Sequence, residues 1–513
     1  MKKKLFSRLS VLIALVIMVS GCSKKATGYT QVIPADATAV VVVDINALAN
    51  KAGVNDAENK ELKEKLFEAM RSGLSAASLT QLDKILKDPD ESGISVKDPV
   101  YMFMSPTFDT PVFVLKVTDD KKLRTTFDVM VTEGIIEGIT ENKGYSQANM
   151  GLTAMAYNNT ALMVATAAGK TQQEMIGKLL NNEEKSTVKD NEYYQLMEKR
   201  KGDVVFFATM NVFSRDIIRQ VKQSIPYEFD PNDFVMLGDF GFEKGKIIVR
   251  GEYATQNEEM KAMIEKQARV MSKINGSMLK EYPQSPLAFF AFNFNGEGLL
   301  NMLKEHEDFR KGLDELAEMP QIEEVIKAFK GDVSGGMFDV SMTGMPTFMA
   351  FAEVANSDII DLLYENKQSL GLGRREDIVK LGEKEYMFSS REINLYFGAK
   401  DNVLYATNDQ ALCKNIGNNK GQSLKDARYA SAIKGKTGFF VIDLEAIAEM
   451  PLIRMMASMG KEYTAYYNIL KRFSYMEINS KNEKEGEFVL YMTDRETNAL
   501  KQIVDLAKEY SGI

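Results

Sequence analysis

The chain has 513 residues, with 64 lysines and arginines against 72 aspartates and glutamates, a net charge of −8. An acidic balance with no basic block beyond the extreme N-terminus lacks the positive footprint of a nucleic-acid binder, so no nucleic-acid partner is expected. One histidine and two cysteines cannot fill the three or four positions of a His/Cys zinc site, and no such metal is expected either.

The chain opens Met1-Lys2-Lys3-Lys4, with Arg8 and then an apolar run from Val11 to Val19. A basic start before a short apolar stretch is the pattern of an export signal. The run is too short to cross a bilayer, which takes about 20 apolar residues. It ends in Val19-Ser20-Gly21-Cys22, small residues ahead of a cysteine, the form of a bacterial lipobox. Residues 1–21 are therefore expected to be a signal peptide, Cys22 the lipidated N-terminus, and residues 22–28 a polar tether. Each buried CH₂ of such a lipid contributes roughly 0.8 kcal/mol of membrane attachment.

Loss of residues 1–21 removes Lys2, Lys3, Lys4 and Arg8, leaving 60 basic against 72 acidic residues, a net of −12 over 492 residues. No polybasic run is left to hold anionic lipid, so the lipid on Cys22 is expected to carry the membrane attachment alone. A chain of this length exceeds the roughly 250–300 residues that one core supports, which calls for at least two domains. With Cys22 acylated, Cys413 has no disulfide partner in the chain, and the fold must rest on packing.

Along the mature chain, β-branched and aromatic runs predict strands at Val40–Val43, Val100–Met104, Val112–Val117, Phe289–Phe292 and Phe439–Ile442. Charged periodic stretches predict helices at Glu58–Arg71, Ser78–Lys87, Glu258–Ile274, Ile322–Phe329 and Glu496–Tyr510. These landmarks recur. Pro34 to Asp44 and Pro283 to Asn293 both run ten positions from proline through an apolar run to Asp or Asn, the order of turn, buried strand and helix cap. Ala156–Thr166 and Phe397–Thr407 each read as a hairpin. Lys201-Gly202 before Phe206–Asn211 parallels Lys434-Gly435 before Phe439–Asp443, and Phe240–Tyr253 parallels Tyr475–Met492, with helices expected to open near Asn257 and Thr493. Four landmarks in one order predict two homologous halves, 29–277 and 278–513. Each is α+β, a mostly antiparallel sheet covered on one face by helices.

Catalytic motifs fail one after another. His306 stands on a polar helical stretch, and no Gly-x-Ser-x-Gly elbow accompanies it. Gly435-Lys436-Thr437 resembles the end of a phosphate loop, but Ala430 occupies the place of its first glycine and a strand follows where a helix is needed. Gly371-Leu372-Gly373 lacks its later glycine, Glu376 standing there, so no dinucleotide cofactor is expected. Asp88-Pro89-Asp90-Glu91-Ser92-Gly93 imitates the start of a calcium loop, yet its twelfth position is Pro99, and a helix-to-strand turn is the expectation. The acidic pairs Glu258-Glu259, Glu315 with Glu318, and Glu323-Glu324 sit in charged helical stretches and read as solvated faces. Thirty methionines are scattered as core fillers; the runs Met450…Met455-Met456…Met459 and Met337…Met342…Met345 are candidates to line an adaptable groove.

The lipobox, the Ile33-Pro34-Ala35-Asp36 opening, the Asp88-Pro89…Ser92-Gly93-Ile94 turn before Pro99-Val100-Tyr101 and the duplicated layout resemble the Bacteroidota lipoproteins grouped as a domain of unknown function, family 4836. The resemblance spans nearly the whole mature chain and transfers no catalytic residue. It implies an envelope lipoprotein of the outer membrane. Ser23-Lys24-Lys25 stands where surface-displayed members carry acids, which favours the periplasmic face. The expected function is non-catalytic, a membrane-anchored protein that binds an envelope protein or polymer. The alternatives are a carboxylate-based hydrolase of an envelope polymer and an apolar-ligand carrier. Cys22, as the lipidation site, is the one site residue expected.

Overall fold

The computed structural model describes residues 28–511, apart from segments 61–63, 65–66, 69–70, 72–73, 183–185, 225–229, 306–309, 312–321, 341–344 and 368–371 and positions 109, 167, 374 and 420. Cys22, His306, Glu315, Glu318, Gly371 and Met342 lie outside the described residues, as does much of the helix expected at Glu58–Arg71. The chain divides into two compact units. One comprises residues up to Val221 with Asp230–Ala254 and Glu496–Ile513; the other comprises Lys222–Phe229 and Thr255–Arg495.

Among the described residues the first unit contains ten strands: β1 Ala39–Val43, β2 Val100–Met104, β3 Val112–Lys116, β4 Ile139–Asn142, β5 Tyr145–Met150, β6 Thr153–Tyr157, β7 Ala161–Ala165, β8 Val204–Thr209, β9 Val235–Glu243 and β10 Lys246–Ala254. They pair antiparallel throughout, in the order β10-β9-β8-β1-β2-β3-β7-β6-β5-β4. The second unit contains β11 Met271–Ser272, β12 Ala288–Asn295, β13 Phe329–Val340, β14 Pro346–Val354, β15 Asp377–Gly382, β16 Glu385–Ser389, β17 Asn394–Lys400, β18 Val403–Thr407, β19 Gly438–Ile442, β20 Phe473–Ser480 and β21 Glu485–Met492. Its order is β21-β20-β19-β12-β13-β14-β18-β17-β16-β15, with β11 beside the end of β12, again all antiparallel. Setting β11 aside, the two units have the same strand order.

The shared plan extends to single residues. Thr187 and Asp190 form a reciprocal capping box on Val188–Asp190, and Ser423 and Asp426 form the same box on Leu424–Asp426. Each box bridges back to a proline, Pro34 to Thr187 and Pro283 to Ser423. A fully buried tyrosine follows each, Tyr194 and Tyr429. Asp44 caps Ile45–Lys51 by accepting from Ala47 N at 2.8 Å, and Asp443 caps Leu444–Glu449 by accepting from Ala446 N at 2.9 Å.

Three expectations are corrected. Asn293 does not cap a helix. Strand β12 runs two residues further, Asn295 caps Gly296–Leu303 through Gly298 N at 3.1 Å, and Asn293 instead donates to Asp332 at 2.8 Å. The last helix opens at Ala499, not near Thr493, because Asn498 both bridges to Lys244 and accepts from Leu500 N. Glu258–Val270 stops short of Ile274, since Met271 and Ser272 leave the helix to pair with Phe294 and Asn293. By compactness the C-terminal helix belongs to the first unit, where Lys501 meets Asp56 at 3.2 Å and Asn498 donates to Phe242 O at 2.9 Å.

Helices cover both faces of the sheet at β6 and β7. Ala154, Ala156, Ala161, Met163 and Ala165 face one core, closed by Ile176, Leu179, Tyr194 and Met197. Met155, Tyr157 and Leu162 face another, closed by Leu123 and Phe127 of the helix Asp120–Thr132. The run Ala161-Leu162-Met163-Val164-Ala165 has no polar alternation, the mark of a strand buried on both sides. In the second unit, Tyr405 faces one core and Leu404 and Ala406 the other, where Ile360 and Tyr364 close it.

Candidate functional site

The buried carboxylates are the first place to look for chemistry, because an acid held in a low-dielectric site is the usual raw material of catalysis. Each one described is engaged. Asp203 accepts from Lys51 Nζ at 2.7 and 2.8 Å and from Phe242 N at 2.7 Å. Asp239 accepts from Arg250 at 2.9 Å and Arg200 at 3.3 Å, and Arg200 also reaches Glu252 at 2.5 Å. Asp332 accepts from two backbone amides and one side-chain amide.

Arg428 gathers the densest of these networks. It donates to Asp443 at 2.7 Å and to Glu445, and lies 5.0 Å from the centre of the Tyr475 ring. Arg495 lies over Tyr475 and Tyr491, at 5.4 and 4.7 Å. The hydrogen bond from Arg428 holds the Glu445 carboxyl below its usual range, with Arg428's charge and Ser474 acting in the same direction against partial burial. A depressed acid contributes stability above its unfolded pKa and loses it as pH falls through the folded value. Glu445 is half-exposed, so that contribution is small. Asp443 is buried beside the same guanidinium. Arg428→Ala is expected to destabilise the second unit by about 2–4 kcal/mol, leaving Asp443 with its helix amide and no cation. Urea unfolding checks this; a shift under about 0.5 kcal/mol would show that water replaces the guanidinium.

Among the described residues no three His, Cys, Asp or Glu side chains are grouped to hold a metal. In the turn that imitates a calcium loop, Asp90 pairs with Lys97 at 3.2 Å and Glu91 with Lys122 at 2.6 Å, while Ser92 Oγ donates to Pro89 O. Its acids thus neutralise lysines. Gly435-Lys436-Thr437 leads straight into β19. Glu258 and Glu259 are exposed in the first turn of their helix, and Glu323 pairs with Lys304 at 2.6 Å and Lys327 at 3.7 Å. Cys413, half-buried on Gln410–Asn415, packs against the core, and burial pushes its thiol up, away from the reactive thiolate.

A recess of about 200 Å³ in the first unit is lined by Pro34, Ala35, Asp36, Ser105, Thr107, Phe108, Met175, Leu179 and Ser186. It contains the Pro34-Ala35-Asp36 opening, but falls below the roughly 300–1,000 Å³ of typical small-molecule sites.

The more distinctive feature is exposed apolar surface. In the second unit, Met455, Met456, Met459, Tyr463 and Tyr466 are exposed within one short stretch, on and between the helices Pro451–Ala457 and Lys461–Leu470. The sequence marked the methionines here as groove-lining; they are surface side chains, and the tyrosines beside them were not singled out. Spacing held that signal, since Tyr463 and Tyr466 lie three apart and share a helix face.

The family model for a domain of unknown function, DUF4836, matches residues 29–500. No curated protein matches the chain. Among solved structures, crystal form I of TP0453 is 10% identical, with a TM-score of 0.25 over 48% of this chain and 88% of that one. Crystal form III of TP0453 is 11% identical, with a TM-score of 0.26 over 48% and 89%. With residues 29–500 matched by that one model, the chain belongs to the family of the domain of unknown function DUF4836.

Proposed function

We propose that this protein is an envelope lipoprotein, held to the periplasmic face of the outer membrane by lipid on Cys22, whose two units serve binding or structural roles. The observation that carries this reading is the N-terminal sequence, Lys2-Lys3-Lys4, the apolar run and Val19-Ser20-Gly21-Cys22. The shared strand order and paired capping boxes favour an origin by duplication, and a doubled module suits presentation of extended faces to a protein or polymer. Binding is favoured over carboxylate chemistry because the buried Asp203, Asp239, Asp332 and Asp443 each satisfy a cation or an amide.

The test is metabolic labelling with an alkyne-tagged fatty acid, followed by membrane fractionation. The native chain is expected to incorporate label and sediment with membranes, while Cys22→Ala loses the label and stays uncut at residue 21. An unlabelled native chain recovered in the soluble fraction would refute the anchor.

A further inference from the structure

The connection from β19 to β20 contains the helices Pro451–Ala457 and Lys461–Leu470, packed against one another. Met459 and Tyr466, 69% and 70% exposed, are two of the three most open large hydrophobic side chains among the described residues. A soluble surface rarely concentrates such side chains without a partner to cover them.

Charge identifies the partner. Residues 450–472 contain Arg454, Lys461, Lys471 and Arg472 against Glu462 alone. Glu449, which pairs with Arg454, reduces the local excess to two positive charges, on a chain of net −8. The Lys471 ammonium lies 5.5 Å from the centre of the Tyr467 ring, an exposed cation against an aromatic side chain. Methionine for depth, tyrosine with a wet end and a dry end, and lysine at the rim is the composition of a surface that sits at a bilayer interface.

We propose that the helical pair Pro451–Leu470 is a membrane-surface contact that lies against a bilayer bearing anionic headgroups. Met455, Met456, Met459, Tyr463 and Tyr466 enter the interface, and Lys461 and Lys471 meet headgroup phosphates. The inference rests on the reading of the chain as lipid-anchored and deepens it, because the anchor then has a second point of attachment that fixes the second unit to the membrane. It replaces the expectation that lipid alone carries the attachment.

The experiment uses the full lipidated protein with Cys413→Ser and Met459→Cys, labelled at the new thiol with an environment-sensitive fluorophore. The protein is reconstituted into phosphatidylcholine vesicles with or without phosphatidylglycerol. With phosphatidylglycerol, the emission is expected to shift blue and to be quenched by spin-labelled acyl chains. Lys461→Glu with Lys471→Glu is expected to weaken docking about tenfold, and high salt to act in the same direction. A label that stays in water while the protein floats with vesicles overturns the contact and leaves the anchor standing. Label burial in detergent alone, rising with protein concentration, assigns the surface to a second copy and also overturns it. If the protein does not float as isolated from cells, the anchor reading fails. Docking of that same protein on added phosphatidylglycerol vesicles would then support the helical contact independently.

Discussion

Gly93→Ala is expected to cost the first unit about 4 kcal/mol or more, among the largest effects of any single methyl group in this chain. Gly93 adopts φ 80°, a left-handed conformation that costs a non-glycine residue about 1–3 kcal/mol. Space is the greater obstacle. A Cβ would lie 2.8 Å from Leu123 Cα and closer still to Leu123 N and the Asp119 carbonyl oxygen. Those atoms open the helix Asp120–Thr132, whose Leu123 and Phe127 close a core, so they cannot retreat without unpacking it. The Gly93 carbonyl also accepts from Thr118 N at 2.9 Å, fixing the turn to the start of that helix. The measurement is denaturant unfolding with hydrogen exchange, which should locate the loss in the first unit. A cost below about 1 kcal/mol would mean the helix start yields to the methyl group.

That turn shows what the sequence displays and what it hides. Asp88-Pro89-Asp90-Glu91-Ser92-Gly93 has the acids and glycine of a calcium loop, and only the missing ligand at Pro99 argues against one. The structure supplies the positive reason, since Lys97 and Lys122 arrive from 7 and 31 residues away to occupy the carboxylates. Strand positions were legible because apolar runs and turn residues are local signals, and β2 coincides with its expected bounds. Caps were legible as a type but not always as a position. Asn293 and Asn295 both follow apolar residues in β12, and only the pairing of Asn293 with Asp332, 39 residues on, decides which is free to cap. Two-sided cover was present in the unalternating run of β7 but needed the helix Asp120–Thr132 to be seen behind it. The exposed helices Pro451–Ala457 and Lys461–Leu470 were the least legible. Their cations are spread over residues 454–472, so no basic run announces them, and their tyrosines count as ordinary helix-face residues until the fold exposes them.

Asp332→Ala is expected to destabilise the second unit by about 3–5 kcal/mol, because it strands three donors of one buried carboxylate at once. Asp332 on β13 is 1% exposed. Its carboxylate accepts from Asn275 N at 3.1 Å, Gly276 N at 2.7 Å and Asn293 Nδ2 at 2.8 Å. Its own amide donates to Glu353 at 2.8 Å, and Glu353 in turn accepts from Ser277 Oγ at 2.7 Å. Two acids on neighbouring strands therefore clamp the turn 275–277, where Gly276 adopts φ 71°. The clamp delivers Met278, Leu279 and Tyr282 to the core, where Tyr282 packs edge-on against Phe289 and Phe351. Alanine removes every carboxylate acceptor and leaves three separate donors to find new partners, so the turn must open. Asp332→Asn separates charge from geometry. Its single carbonyl oxygen serves some of the donors while its NH₂ opposes the rest, so it should fall between the native chain and alanine. Hydrogen exchange at Ile274, Gly276 and Leu279 should accelerate in both variants, most in alanine, with β1 to β7 unchanged. Equal exchange in native and alanine chains would show that the turn is held by the ladder of Ile274 and Gly435 with Lys436, and not by the buried acid.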